Sequence, residues 1–215
     1  MGKKKYGILL DTEYTRRNKM VTNLACYVIE IHGNVYEEMN FFNKNLNPKK
    51  KMKLCDASQI ELTSWDHTME TLQSYIKEYN VTFLVGYNIM CDMVAIYKTC
   101  KAYNAFTNFF AKNKLEYIDL ALLAQNHIGT RNYRKYCVLN NELTQNNNEK
   151  LTVEVMYRYI TNDSGFTQNH TALNDCQIEL IIYRKCRQKK KKYPENAYRN
   201  VEKILRKHLD KKCKA

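Results

Sequence analysis

Only two prolines, Pro48 and Pro194, occur in 215 residues, so helices and strands can run long without interruption. No apolar run approaches the ~18 residues that a membrane span needs, and no membrane partner is expected. Lys3, Lys4 and Lys5 precede an apolar run too short for a signal peptide. Tyr6 stands where N-myristoylation would need Ser or Thr after Gly2. Neither export nor acylation is therefore expected. Of eight cysteines no two are separated by two residues, which argues against a zinc ribbon or a redox pair. Reduced thiols in a cytoplasmic protein are the expectation. Internal repeats and linker-like stretches are also lacking.

Net positive charge is small in the body of the chain and large at its end. The net charge is +13, yet residues 184–215 hold 14 Lys/Arg against Glu195, Glu202 and Asp210, a net of +11 that leaves +2 for the rest. A basic tail suits a polyanion, and it suits a solubilising charged helix equally well. The expected division is a globular domain over 1–188 and a basic segment over 189–215. Pro194 would open a last helix. Ala197, Val201, Ile204, Leu205 and Leu209 would form its apolar stripe, with Arg199, Lys203, Arg206, Lys207 and Lys211 largely elsewhere.

Acids stand where the chain leaves apolar stretches. Tyr6 to Leu10 reads as a short buried strand that delivers Asp11 and Glu13 at its end. Two residues apart on an extended chain, both carboxylates point to the same side. They repel each other unless a cation holds them, although a solvated strand end explains this pair alone equally well. Residues 23–31 and 35–42 form two β-like runs around Gly33-Asn34, a hairpin signal. Trp65, Met69, Leu72, Ile76 and Tyr79 have helical spacing. Val81 to Val85 reads as a strand buried on both faces, turned by Gly86 into a helix from about Ile89 with Asp92 in its first turn. Leu115 to Ile118 gives a further strand, and Asp119 caps the next helix. Residues 127–148 read as a polar loop in which Arg131, Tyr133, Arg134, Lys135 and Tyr136 offer phosphate contact and base stacking. Leu151, Val155, Met156 and Tyr159 mark another helix. His170 precedes a long helix carrying Asp175. The two can face one site only if His170 lies in the loop and Asp175 inside the helix.

Taken in order, Asp11-x-Glu13, then Asn88 with Asp92 four residues on, then His170-x-Ala172-x-x-Asp175, resemble the DEDD superfamily of 3′–5′ exonucleases. The match is to its histidine subgroup, the family of proofreading exonuclease subunits and ribonuclease T. Thr171 occupies the position where the tyrosine subgroup has Tyr. Tyr14 and Cys91 depart from the usual Thr and Phe, which bears on substrate fit. In general character the chain is also similar to stand-alone bacteriophage exonucleases, implying the cytoplasm of a bacterium or phage-infected host.

The resemblance implies a ribonuclease H-like α/β fold: a mixed five-stranded sheet, three antiparallel strands then two parallel, flanked by helices. It implies Asp11, Glu13, Asp92 and Asp175 as ligands of two Mg²⁺ or Mn²⁺ ions, His170 as general base, and Thr12, Tyr14 and Asn88 as substrate contacts. Four carboxylates offer the hard oxygens those ions prefer. The implied substrate is the 3′ end of single-stranded DNA or RNA, with DNA slightly preferred. A catalytically inactive nucleic-acid-binding or polymerase-docking module on the same fold is the alternative. The basic C-terminal helix could also serve a polymerase or self-association.

Overall fold

The computed structural model of the chain describes residues 5–46, 52–56, 58 and 60–188, together with the backbone of 198–200. The elements in order are β1 (Tyr6–Tyr14), β2 (Val21–Glu30), β3 (Val35–Asn43), β4 (Glu61–Thr63), α1 (Trp65–Glu78), β5 (Phe83–Gly86), α2 (Met90–Ala102) and α3 (Phe109–Asn113). They continue with β6 (Glu116–Asp119), α4 (Leu120–His127), α5 (Arg131–Leu139), α6 (Val153–Thr161), α7 (Ala172–Arg187) and β7 (Tyr198–Asn200). No described helix is long and apolar enough to cross a membrane.

The strands form one sheet in the order β4-β3-β2-β1-β5-β6-β7. Its centre, β3-β2-β1-β5-β6, is three antiparallel strands followed by two parallel ones, as expected. Alternation along β1 explains its unbroken apolar run, because both faces are covered. Ile8 and Leu10 belong to the core shared with Trp65, Met69 and Leu72 of α1 and Met93 and Ile96 of α2. Leu9 belongs to the opposite core, with Leu123 of α4, Met156 of α6 and Cys176 and Tyr183 of α7. Burying each such large side chain stabilises the fold by about 1.5–3 kcal/mol. Residues 9, 11 and 13 share one face, so the strand that buries Leu9 against α7 turns Asp11 and Glu13 toward the same helix.

Several elements differ from the sequence reading. The first strand runs on to Tyr14, so Asp11 and Glu13 lie within it. Within the supposed loop over 127–148 lies α5, anchored by buried Tyr133 and Cys137. Two edge strands extend the sheet beyond five: β4 lies parallel to β3, and β7 lies antiparallel to β6. The latter corrects the last helix at residues 198–200, where Tyr198, Arg199 and Asn200 pair with Ile118, Tyr117 and Glu116. The rest of that expected helix and of the basic segment, 189–197 and 201–215, lies outside the described residues.

Candidate active site

Three elements meet at one edge of the sheet. Parallel pairing sets Leu9 beside Val85, so the chain leaves β5 next to Asp11. Gly86 makes that approach possible: a Cβ there would lie 2.7 Å from the Leu10 carbonyl oxygen. The chain turns through Asn88 in the left-handed region, φ 54°, which Asn tolerates better than most residues. It enters α2 with buried Asp92 in the first turn. The Thr12 N–H and hydroxyl both donate to Asp92 Oδ1, at 3.0 and 2.7 Å. Both Thr12 donors thus serve Asp92.

The third element, α7, is fixed to the sheet at its first residue. Asn23, fully buried on β2 and opposite Glu13 in the ladder, accepts the Ala172 N–H at 3.0 Å. Its amide also donates to Asn40 Oδ1 and the Phe41 carbonyl, so one side chain ties two strands to the helix. Cys176 reaches the Ala25 carbonyl one turn later. Asp175 is 5% exposed in the first turn, and Glu179 one turn on is 2% exposed. His170 lies in the loop before the N-cap residue Thr171, exposed and left-handed at φ 55°. The condition placed on His170 and Asp175 by their spacing is met.

The electrostatics show that these acids form one group. Burial raises the Asp11 carboxyl well above the ordinary carboxylate range, and Asp92, Glu179, Asp175 and Glu13 push it further. Asp92 is raised to about 7, first by burial, with the Thr12 hydrogen bonds pulling back and Glu13 adding repulsion. Glu179 is raised by burial, then by Asp92, while the Tyr87 N–H that donates to it at 3.1 Å pulls the other way. Tyr14, half-buried beside Cys91 and Asp92, is pushed up to about 12, chiefly by burial. Asp119 caps α4 through the Ala121 N–H at 3.0 Å, as its sequence position suggested, and also receives the Asn88 N–H at 3.2 Å.

The basic and aromatic residues expected to meet substrate are arranged otherwise. Tyr133 is fully buried, with its hydroxyl on the Lys150 carbonyl, so its ring offers no face to a base. Tyr136 is half-buried against Tyr133 and Tyr159. Arg134 pairs with Glu149 at 3.1 Å. Arg131 and Lys135 are exposed on α5, and Asn88 is exposed at its turn. Glu179 and Asn23 were not picked out from the sequence. A glutamate on an amphipathic helix and an asparagine in a strand carry no local signal of burial.

The donor set fits hard divalent cations in its chemistry: it is all carboxylate and self-repelling, with Asp92 and Asp175 buried and Asp11 and Glu13 half-buried. Asp11, Glu13, Asp92 and Asp175 could share such ions, and Glu179 lies against them. As the side chains stand, no three of His, Cys, Asp and Glu among the described residues form a ready metal site. The fit is therefore one of chemistry and grouping.

By sequence, the chain matches no family model and no curated protein. By structure, it is similar to a solved exonuclease X in complex with 5′-overhanging duplex DNA, at a TM-score of 0.50 and 14% identity, covering 88% of this chain and 96% of that one. At that identity the likeness is one of architecture, and the chain carries the ribonuclease H-like α/β fold.

Proposed function

We propose that the chain is a 3′–5′ exonuclease that releases nucleoside monophosphates from the 3′ end of single-stranded nucleic acid, DNA ahead of RNA. It would use two Mg²⁺ or Mn²⁺ ions held by Asp11, Glu13, Asp92 and Asp175. The observation that carries this reading is the gathering of acids from β1, α2 and α7 at one sheet edge, where Asp11 is repelled by four others. Such a group is stable at neutral pH when cations balance it. The architecture shared with an exonuclease solved on DNA supports nucleic acid as the substrate class.

When bound, the ions polarise the scissile phosphate and stabilise charge on the leaving oxygen. The residues of the chain do the rest. Thr12 holds Asp92 in one orientation through two hydrogen bonds. Asn23 holds the start of α7, and so Asp175, against β2. His170, in the loop at the start of α7, takes the proton of the attacking water, the general-base role that histidine fills most often. The water oxygen bonds to phosphorus, the bond from phosphorus to the penultimate 3′ oxygen breaks, that oxygen takes a proton from solvent to become a hydroxyl, and a nucleoside 5′-monophosphate leaves.

The test is digestion of matched 5′-labelled single-stranded DNA and RNA oligomers with Mg²⁺ or Mn²⁺, beside Asp175→Ala. A ladder shortening from the 3′ end, absent with chelator and in the variant, is the expected result. Tight binding without hydrolysis would instead assign a binding module on this fold.

A further inference from the structure

Of the acids at the sheet edge, Glu179 has no place in the proposed chemistry, yet, like Asp92, it is tied to the backbone of a different element. Its Oε2 accepts the Tyr87 N–H at 3.1 Å, across 92 residues of sequence. The next amide, Asn88, donates to Asp119 at 3.2 Å. Two consecutive N–H groups of the Gly86–Asn88 turn are therefore held by carboxylates from α7 and from the end of β6. Directly after them comes the left-handed step at Asn88 that aims the chain into α2. Glu179 is 2% exposed, and it follows Asp175 by one helical turn.

We propose that Glu179 is a positioning residue: it anchors the Gly86–Asn88 turn to α7 and so fixes the placement of Asp92 relative to Asp175. The inference rests on the proposed metal-dependent nuclease reading. It assigns Glu179 neither a bound metal ion nor a proton transfer. What matters is an acceptor oxygen at the right reach, not the charge.

Two variants separate these. Glu179→Gln keeps the reach and an acceptor oxygen and removes the charge; Glu179→Asp keeps the charge and withdraws the acceptor by one methylene. Mg²⁺ is titrated against two readouts, hydrolysis of a 5′-labelled single-stranded oligomer and the metal-induced rise in Tm without substrate. The half-saturating Mg²⁺ concentration is expected within threefold of wild type for E179Q and at least tenfold higher for E179D, with kcat at saturating metal within threefold for both. Exchange of the Tyr87 amide proton in the metal-free protein gives the comparison without activity: slow in wild type and E179Q, at least tenfold faster in E179D. The reverse pattern, with E179Q impaired and E179D normal, would assign the role to charge and overturn the inference. So would two variants that both respond like wild type, or that both fail. A wild type with neither hydrolysis nor a metal-induced rise in Tm overturns the nuclease reading, and the inference with it.

Discussion

Asp92 receives two hydrogen bonds from a single residue, and that pairing sets how much of its charge the fold can tolerate. Thr12→Val removes the hydroxyl bond and leaves the N–H. Without it the Asp92 carboxyl rises above its value of about 7. The variant should lose about 1–3 kcal/mol at pH 8 and much less at pH 4, where the carboxyl is protonated; urea denaturation at the two pH values measures this. His170→Ala should lower hydrolysis about 10²–10⁴-fold with binding retained, read by single-turnover digestion beside a binding titration. At this scale the proposed ligands and base stand out from the sequence only as an ordered set, since each of the three motifs taken alone reads equally well as an ordinary strand end, turn or loop. Glu179 and Asn23 do not stand out. Their importance comes from what the fold sets opposite them: Tyr87 across the sheet edge, and the first amide of α7.

Among the elements, α7 carries the heaviest duty, since it presents Asp175 and closes one core layer. Its tethers include Asn23 and the Ala25 carbonyl at its start, Glu179 on the Tyr87 N–H, then Tyr183 on the Ile31 carbonyl and Arg184 on the Gly33 carbonyl near its end. Asn23→Leu removes the first and strands the Ala172 N–H. It should cost about 1–3 kcal/mol in chemical denaturation and lower activity in proportion to the disorder at Asp175. The strands β1, β2, β3, β5 and β6 were readable as apolar or β-rich runs, several bounded by turn signals, and helices α1, α2, α4, α6 and α7 from helical spacing or a capping residue. By contrast, α5 buries only Tyr133 and Cys137, four residues apart, which is too brief a pattern to stand out from a polar loop. Edge strand β4, three residues long, has no periodicity to read. At Tyr198–Asn200 a helical stripe was locally plausible, but pairing with β6 prevails, as tertiary contacts commonly override weak propensity.

For the molecule as a whole, the crowded acids predict an unusual pH response. Asp11, Asp92 and Glu179 all bind protons more tightly in the fold than free in the chain. Between the ordinary carboxylate range and about 7 the folded state therefore holds protons that the unfolded chain has released. Stability falls as pH rises through that window, and the difference vanishes below it. For Asp92 alone, about 7 against 3.8, the loss is of the order of a few kcal/mol. The metal-free protein should melt at a lower temperature at pH 8 than at pH 5. Mg²⁺ at about a hundred times its Kd should return about 2.7 kcal/mol at pH 8 and less at pH 5, measured by calorimetry with and without chelator. The far edge of the sheet sets a different condition. Until Tyr198–Asn200 is made, the outer side of β6 has no ladder partner from β7, and a bare strand edge recruits other chains. A protein cut after residue 188 should self-associate in size-exclusion chromatography, whereas one cut after residue 200 should not. On a ribosome adding about 5–20 residues per second, the roughly 80 residues between the two strands take roughly 4 to 16 seconds to appear. For that interval each nascent chain exposes an adhesive margin to its neighbours on the same message, so slower translation of this stretch should lower the yield of monomer.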